Sequence, residues 1–160
     1  MKLSLALAGL ISAVSAASLP SAFTLVAEGG YTVLTDGSNA FLGSDSANYE
    51  ILILNSAPNG AVSFTSKNQS PTGWQNLYVV EQGSQPVGLT SPHSGAVPQG
   101  ATINGFGVDD NGYFTQNNKS AFSVLQTDQG PTKKLFWEGE YNATFFPSDL
   151  YVKPLNTKLR

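Results

Sequence analysis

WQNLYVVEQGSQPVGLTSPHSGAVPQGATINGFGV, residues 74–108, decides the fold. It opens on the chain's most uniform strand pattern, Leu77-Tyr78-Val79-Val80. A second apolar run, Val87-Gly88-Leu89, follows a polar crossing that ends in Pro86. Pro92 and Pro98 have no N–H to give a sheet ladder, so residues 93–100 read as a loop or an edge. Residues 103–108, INGFGV, read as a third short strand, whose glycines signal a bulge or close backbone approach. The segment holds the only histidine, His93, and three of the nine prolines.

The rest of the chain repeats this grammar. Phe23-Thr24-Leu25-Val26 alternates as a half-buried strand does, and Gly29-Gly30 breaks it. Tyr31-Thr32-Val33-Leu34 and Ala40-Phe41-Leu42-Gly43 flank Asp36-Gly37. This is a hairpin signal, because the tight turn needs positive φ and glycine takes it without a Cβ clash. Residues 49–54, YEILIL, read as one dense strand, and Asn59-Gly60 turns the chain into residues 61–65. Asp110-Asn111-Gly112 and Asn117-Asn118-Lys119 are further turns, each followed by an apolar run. Residues 134–137, 140–146 and 150–152 supply the last strands.

No stretch beyond the N-terminus holds a helical period over three turns. Short apolar runs separated by Gly, Pro, Asn and Asp predict an all-β chain, a single-domain antiparallel β-sandwich or barrel. A hairpin-like unit recurs at residues 31–43, 77–89 and 113–125, which admits a β-trefoil as the alternative. Its spacing, 46 and then 36 residues, is irregular.

The N-terminus carries a different signal. Lys2, the apolar residues 3–14 and the small residues Val14-Ser15-Ala16 have the layout of a secretory signal peptide. Residues 1–16 are therefore assigned to it, with cleavage after Ala16 or, second, after Ala17. Residues 17–160 form one domain by length, with a polar C-terminal tail from about 153. A chain of this size buries about 70% of its unfolded surface. It has no cysteine, so the apolar core must stabilise the fold without disulfides.

Composition excludes several functions. Lys and Arg number 8 against 11 Asp and Glu, a net charge of −3, and the basic residues are scattered apart from Lys133-Lys134. Nucleic acid needs clustered positive charge, so none is expected as a partner. No second apolar stretch reaches spanning length, and the C-terminal residues lack the hydrophobic tail of a GPI signal, so no membrane anchor is expected.

Candidate chemistry is sparse. His93 is flanked by Ser91 and Ser94, with Asp109 and Asp110 as possible orienting acids. No nucleophile-elbow sequence accompanies them, and a loop histidine bonded to backbone or water is the plainer reading. Glu138 and Glu140, two apart on an expected strand, would share a face beside Trp137 and Tyr141. That is the arrangement a glycoside hydrolase would use, although solvated acids on a strand are commoner. One histidine and no cysteine exclude ordinary zinc sites, and residues 109–112 read as a β-turn rather than a calcium loop. No metal, cofactor or catalytic residue is expected, and the chain is not read as an enzyme. Three Asn-x-Ser/Thr sequons are acceptor sites if exposed: Asn118 at a turn tip, Asn142, and Asn68, which Pro71 follows closely.

The run from Pro86 to Gly100, with its His-Ser-x-x-x-Pro-x-Gly core, and Gly105-Phe106 beyond it resemble a family of filamentous-fungal secreted proteins. These are described as IgE-binding proteins and PhiA-like cell wall proteins. Residues 37–43 and 77–80 fit the same pattern, and the similarity covers most of the chain up to the last ten residues. The resemblance implies a secreted, wall-associated protein. It also implies a link to asexual development, the formation of phialides and conidia, and recognition by host IgE. PhiA-type chains carry cysteines. This chain has none, which brings it closer to the IgE-binding branch. The resemblance carries over no catalytic residue.

The expected role is that of a secreted structural or interaction protein of the cell wall, with wall polysaccharide or wall proteins as partners. A carbohydrate-binding β-sandwich, with or without hydrolysis, is the competing class. Intact-mass analysis of secreted protein should show a chain beginning at Ala17 or Ser18. Removal of N-glycans should lower its mass, and Asn118→Gln should abolish much of that change.

Overall fold

The computed structural model describes residues 18–44, 47–70 and 72–156. The signal-peptide assignment, with Ala16 and Ala17, lies outside the described residues, as does Pro71. Among the described residues there is no helix, and hence none long and apolar enough to cross a membrane.

The chain opens with β1 (Ala22–Ala27), β2 (Thr32–Thr35) and β3 (Ala40–Gly43), then β4 (Glu50–Ile51), β5 (Leu54–Ser56) and β6 (Val62–Thr65). The organising segment contributes β7 (Trp74–Val80), β8 (Ser84–Pro86), β9 (Gly88–Leu89), β10 (Ala101–Thr102) and β11 (Phe106–Val108). β12 (Phe114–Gln116), β13 (Phe122–Leu125), β14 (Thr132–Glu138), β15 (Phe145–Pro147) and β16 (Leu150–Pro154) complete it. Fourteen strands join in one sheet, whose main path runs β10-β7-β6-β5-β1-β2-β3-β14-β13-β15. β16, β4, β8 and β9 pair beside that path, and β11-β12 form a separate two-stranded sheet. The strand pairings are antiparallel, and the architecture is an open, sandwich-like all-β fold.

Several strands change partner along their length. β14 pairs with β3 through Thr132, Lys133 and Lys134, and with β8 through Phe136, Trp137 and Glu138. β7 meets β6 at Trp74–Asn76, β9 at Leu77 and Tyr78, and β10 at Val79 and Val80. Such sharing curls one sheet over its own core, which is how a sandwich forms from a nearly continuous ladder.

The turns behave as their residues demand. Gly37 and Gly60 take φ of 92° and 76° in the Asp-Gly and Asn-Gly turns. In the turn after β12, Asn117 and Asn118 have φ of 48° and 61°, while Gln116 and Lys119 exchange both backbone hydrogen bonds. Two successive left-handed residues are what a tight two-residue hairpin requires, and asparagine tolerates them. The glycines of residues 103–108 also have a cause. Gly105 has φ of 81°, its backbone lies 3.0 Å from where a Cβ on Gly60 would stand, and Phe106 N–H donates to Gly60 C=O.

Four expectations need correction. The YEILIL run is two strands, because Ile53 N–H turns back to Ile51 C=O. β4 then pairs with β2, while β5 pairs with β1 and β6. Residues 140–144 are not strand, and only Phe145–Pro147 of that stretch pairs, with β13. Lys153 and Pro154, placed in the tail, belong to β16 and pair with Thr24 and Phe23. The threefold unit fails at its third copy. β2-β3 is a hairpin and β7 pairs with β9 across the intervening β8, but β12 pairs with β11 and β13 with β14 and β15.

The core is apolar and centred on phenylalanines. β1 buries Phe23, Leu25 and Ala27 at alternate positions, as its sequence demands. Phe114 is fully buried, with ring centroids 5.9 Å from Phe23, 5.3 Å from Phe106 and 5.6 Å from Phe122. Phe122 in turn packs edge-on to the buried Trp137 at 5.0 Å. This chain of rings joins the separate β11-β12 sheet to the main one. Phe114→Ala removes the shared ring and should cost about 3–5 kcal/mol of unfolding free energy. Urea unfolding followed by tryptophan fluorescence measures it.

Candidate functional site

The residues singled out by sequence do not assemble into a reactive centre. His93 is exposed and left-handed, with φ of 60°, and its N–H donates to Trp74 C=O at 2.9 Å. Its Nε2 lies 3.0 Å from Thr72 C=O; a carbonyl only accepts, so this nitrogen carries the proton. The ring also lies over Gly73, where a Cβ would come within 2.5 Å of it. Ser94 Oγ accepts Ala96 N–H rather than facing the imidazole. His93 therefore fastens its loop to the start of β7.

The acidic candidates are likewise engaged locally. Asp109 Oδ1 accepts the N–H groups of Asn111 and Tyr113, both at 2.9 Å, which is the hydrogen bonding of a turn. β14 ends at Glu138, and Gly139 bends away with its N–H on Gly83 C=O, so Glu138 and Glu140 do not share a strand face. Glu138 accepts the backbone N–H of Asn142. Trp137, proposed to stack on sugar, is buried in the core, while Tyr141 is 91% exposed. Among the described residues no cluster of three His, Cys, Asp or Glu is placed to hold a metal.

All three sequon asparagines are exposed. Asn118 sits at the tip of the β12 turn and on the rim of a cleft of about 550 Å³ that Leu19, Pro58, Phe106 and Val108 also line. Asn142 Oδ1 accepts both the N–H and the hydroxyl of Thr144. Asn68 follows Ser66, whose buried hydroxyl donates to Glu50 at 2.7 Å.

A second groove has a volume of about 480 Å³. It lies where the β1-β2 turn meets the ends of β3, β13 and β14. Tyr31, Glu28, Lys133, Gln129 and Ser148 face it over a floor that includes Leu42 and Val124. Gly29 and Gly30, with φ of 88° and 85°, make the turn, closed by Ala27 N–H on Tyr31 C=O. The Tyr31 ring rests on Gly29, where a Cβ would stand 3.3 Å from it, and remains 52% exposed. An exposed aromatic face beside a carboxylate, an ammonium, an amide and a hydroxyl can stack on one face of a sugar and hydrogen-bond its rim. Sequence reading missed Tyr31 in this role, since its neighbours come from four separate segments.

It also missed a pair of tyrosines. Tyr113 and Tyr151 face each other with hydroxyls 2.8 Å apart and ring centroids 4.5 Å apart. Hydrogen bonding to Tyr151, burial, and the negative potential of Tyr151, Asp149 and Glu28 push the Tyr113 phenol up to about 12. Only tertiary pairing across 38 positions makes the contact.

No protein-family model, curated protein or solved structure matches this chain.

The raised pKa of Tyr113 makes its contribution to stability depend on alkaline pH. The folded state favours neutral Tyr113, so this contribution is whole below pH 10, the ordinary tyrosine value, and is lost as pH rises through about 12. Ultraviolet titration of the six tyrosines should show one phenol ionising near pH 12, and Tyr151→Phe should move it down toward 10.

Proposed function

We propose that this is an extracellular, wall-associated structural or interaction protein that binds polysaccharide through many weak contacts. The observation that carries the reading is the set of aromatic side chains left in solvent on a charge-poor surface: Tyr31, Trp74, Tyr141 and Phe146 are 44–91% exposed. Charged residues make up 12% of the chain, so stacking and neutral hydrogen bonds dominate what the surface offers. The signal-like N-terminus and the resemblance to fungal wall and IgE-binding proteins support the location. They also support a role in asexual development and host IgE as a partner.

Each contact of this kind is weak, but a wall presents its ligand at high local density, and binding adds up through avidity. The groove at Tyr31 is the first contact to test. The hydrolytic alternative has lost its proposed pair, since Glu138 and Glu140 no longer share a face and Trp137 is internal.

Retention of the purified protein on insoluble chitin, β-glucan and mannan, with reducing-sugar release assayed alongside, tests the proposal. Retention on at least one polymer is expected, eluted by mild detergent or salt and weakened by Tyr31→Ala. Passage of the protein through all three polymers refutes it, and sugar release would return the hydrolase reading.

A further inference from the structure

The Tyr113–Tyr151 pair serves no part of the proposed polysaccharide contact. Among the described residues it is the one place where two tyrosine rings pack together. Tyr49 packs on Phe41, and Tyr78 lies against Gly88. Tyr31 rests on its own turn, and Tyr141 stands in solvent.

From this geometry we propose that Tyr113 and Tyr151 are a site of oxidative cross-linking, at which a peroxidase-type one-electron oxidant joins the two rings as an intramolecular dityrosine. The hydroxyl oxygens are 2.8 Å apart and the centroids 4.5 Å apart, with the ring planes at 37°. The rings therefore converge toward their hydroxyl ends. The ring carbons ortho to each hydroxyl, where a phenoxyl radical carries spin, lie in the closing part of that wedge. Bond formation needs the two side chains to move toward each other, not the backbone to rearrange.

The backbone holds the pair from both sides. Tyr113 and Tyr151 form an antiparallel bridge, and Val152 N–H donates to Gly112 C=O at 3.0 Å. Tyr113 N–H is fixed on Asp109 Oδ1, and Asp109 N–H on Tyr113 C=O. Tyr151 is fixed in β16 opposite Val26 of β1. Both rings are half-buried, so an external oxidant reaches them while the contact persists. Positioning of this kind replaces a chance encounter between radicals with a held one.

Each phenol gives up one hydrogen atom from its hydroxyl, leaving two phenoxyl radicals. Their ortho carbons form one carbon–carbon bond. The hydrogen on each joined carbon then moves to its ring oxygen, restoring both aromatic rings and both hydroxyls. The pair has lost two hydrogen atoms, which reduce one hydrogen peroxide to two waters through the peroxidase.

The product would be a covalent staple in a chain with no cysteine. It would tie the turn of the separate β11-β12 sheet to β16, and through β16 to β1. A cross-link that closes a long loop restricts the unfolded chain and raises stability.

The test treats dilute, folded full-length protein with hydrogen peroxide and a heme peroxidase, then separates monomer from covalent dimer. Expected in the monomer are a mass loss of two hydrogens, dityrosine fluorescence, a proteolytic peptide pair joined at Tyr113 and Tyr151, and a higher unfolding temperature. Tyr151→Phe and Tyr113→Phe, which keep the ring packing, should each abolish monomer fluorescence while leaving dimers formed through Tyr141 or Tyr31. Unfolding in urea before oxidation should abolish the preference for the 113–151 link. The proposal is overturned if the monomer is unchanged, if its fluorescence survives in both phenylalanine variants, or if the same linked peptides form equally in urea.

Discussion

The structure depends on one packing contact, the burial of the Phe114 ring among Phe23, Phe106 and Phe122. The β11-β12 hairpin lies outside the main ladder and meets it through only isolated backbone bonds, such as Phe106 N–H on Gly60 C=O and Val152 N–H on Gly112 C=O, so side-chain packing must secure it. Aromatic rings suit this task because each buries a large area and prefers offset or edge-on neighbours over a range of angles. The observed planes range from nearly parallel, Phe106 on Phe114 at 2°, to edge-on, Phe122 on Trp137 at 79°.

Around that core, the irregular segments are fixed by polar groups with fully specified partners. Gln75 is buried, and its Nε2 donates to Gly37 C=O at 2.8 Å and Thr90 C=O at 2.7 Å. One side chain thereby ties the Asp36-Gly37 turn to β7 and to the segment after β9. Glu50 holds the loop after β6 through Ser66 Oγ and Lys67 N–H. A buried amide of this kind stabilises only when its hydrogen bonds are made, so it also specifies which segments meet. In a chain without disulfides, these bonds and the ring stack hold the long connections.

The same economy shapes the surface. Trp137, the large aromatic nearest the acidic pair, is spent on the core, and Asp109 and His93 are spent on their own loops. What remains outward is a scatter of aromatics and neutral polar groups, and one groove where an exposed tyrosine meets both charge signs. On the proposed function, extended, uncharged, repetitive ligands would meet this surface at many such points. Near the same end of the molecule, the Tyr113–Tyr151 contact joins β16 to the turn of the separate hairpin.

Local chemistry determined what the sequence by itself could determine. The β class, the alternation of β1, the turns at Gly37, Gly60 and Asn117-Asn118, and the loop character of His93 follow from steric limits acting over a few residues. Tertiary structure decided the rest, because partner choice is set by contacts between distant segments. YEILIL divides since its two halves meet different neighbours, and the expected β12-β13 hairpin gives way to β12 paired with β11 and β13 paired with β14 and β15. Glu138 and Glu140 look paired at a spacing of two, yet Gly139 bends the chain between them, where its Cβ position would fall 1.9 Å from Glu81 C=O. The Tyr31 groove and the tyrosine pair have no local signature at all. They exist only where the curled sheet brings separate strands together.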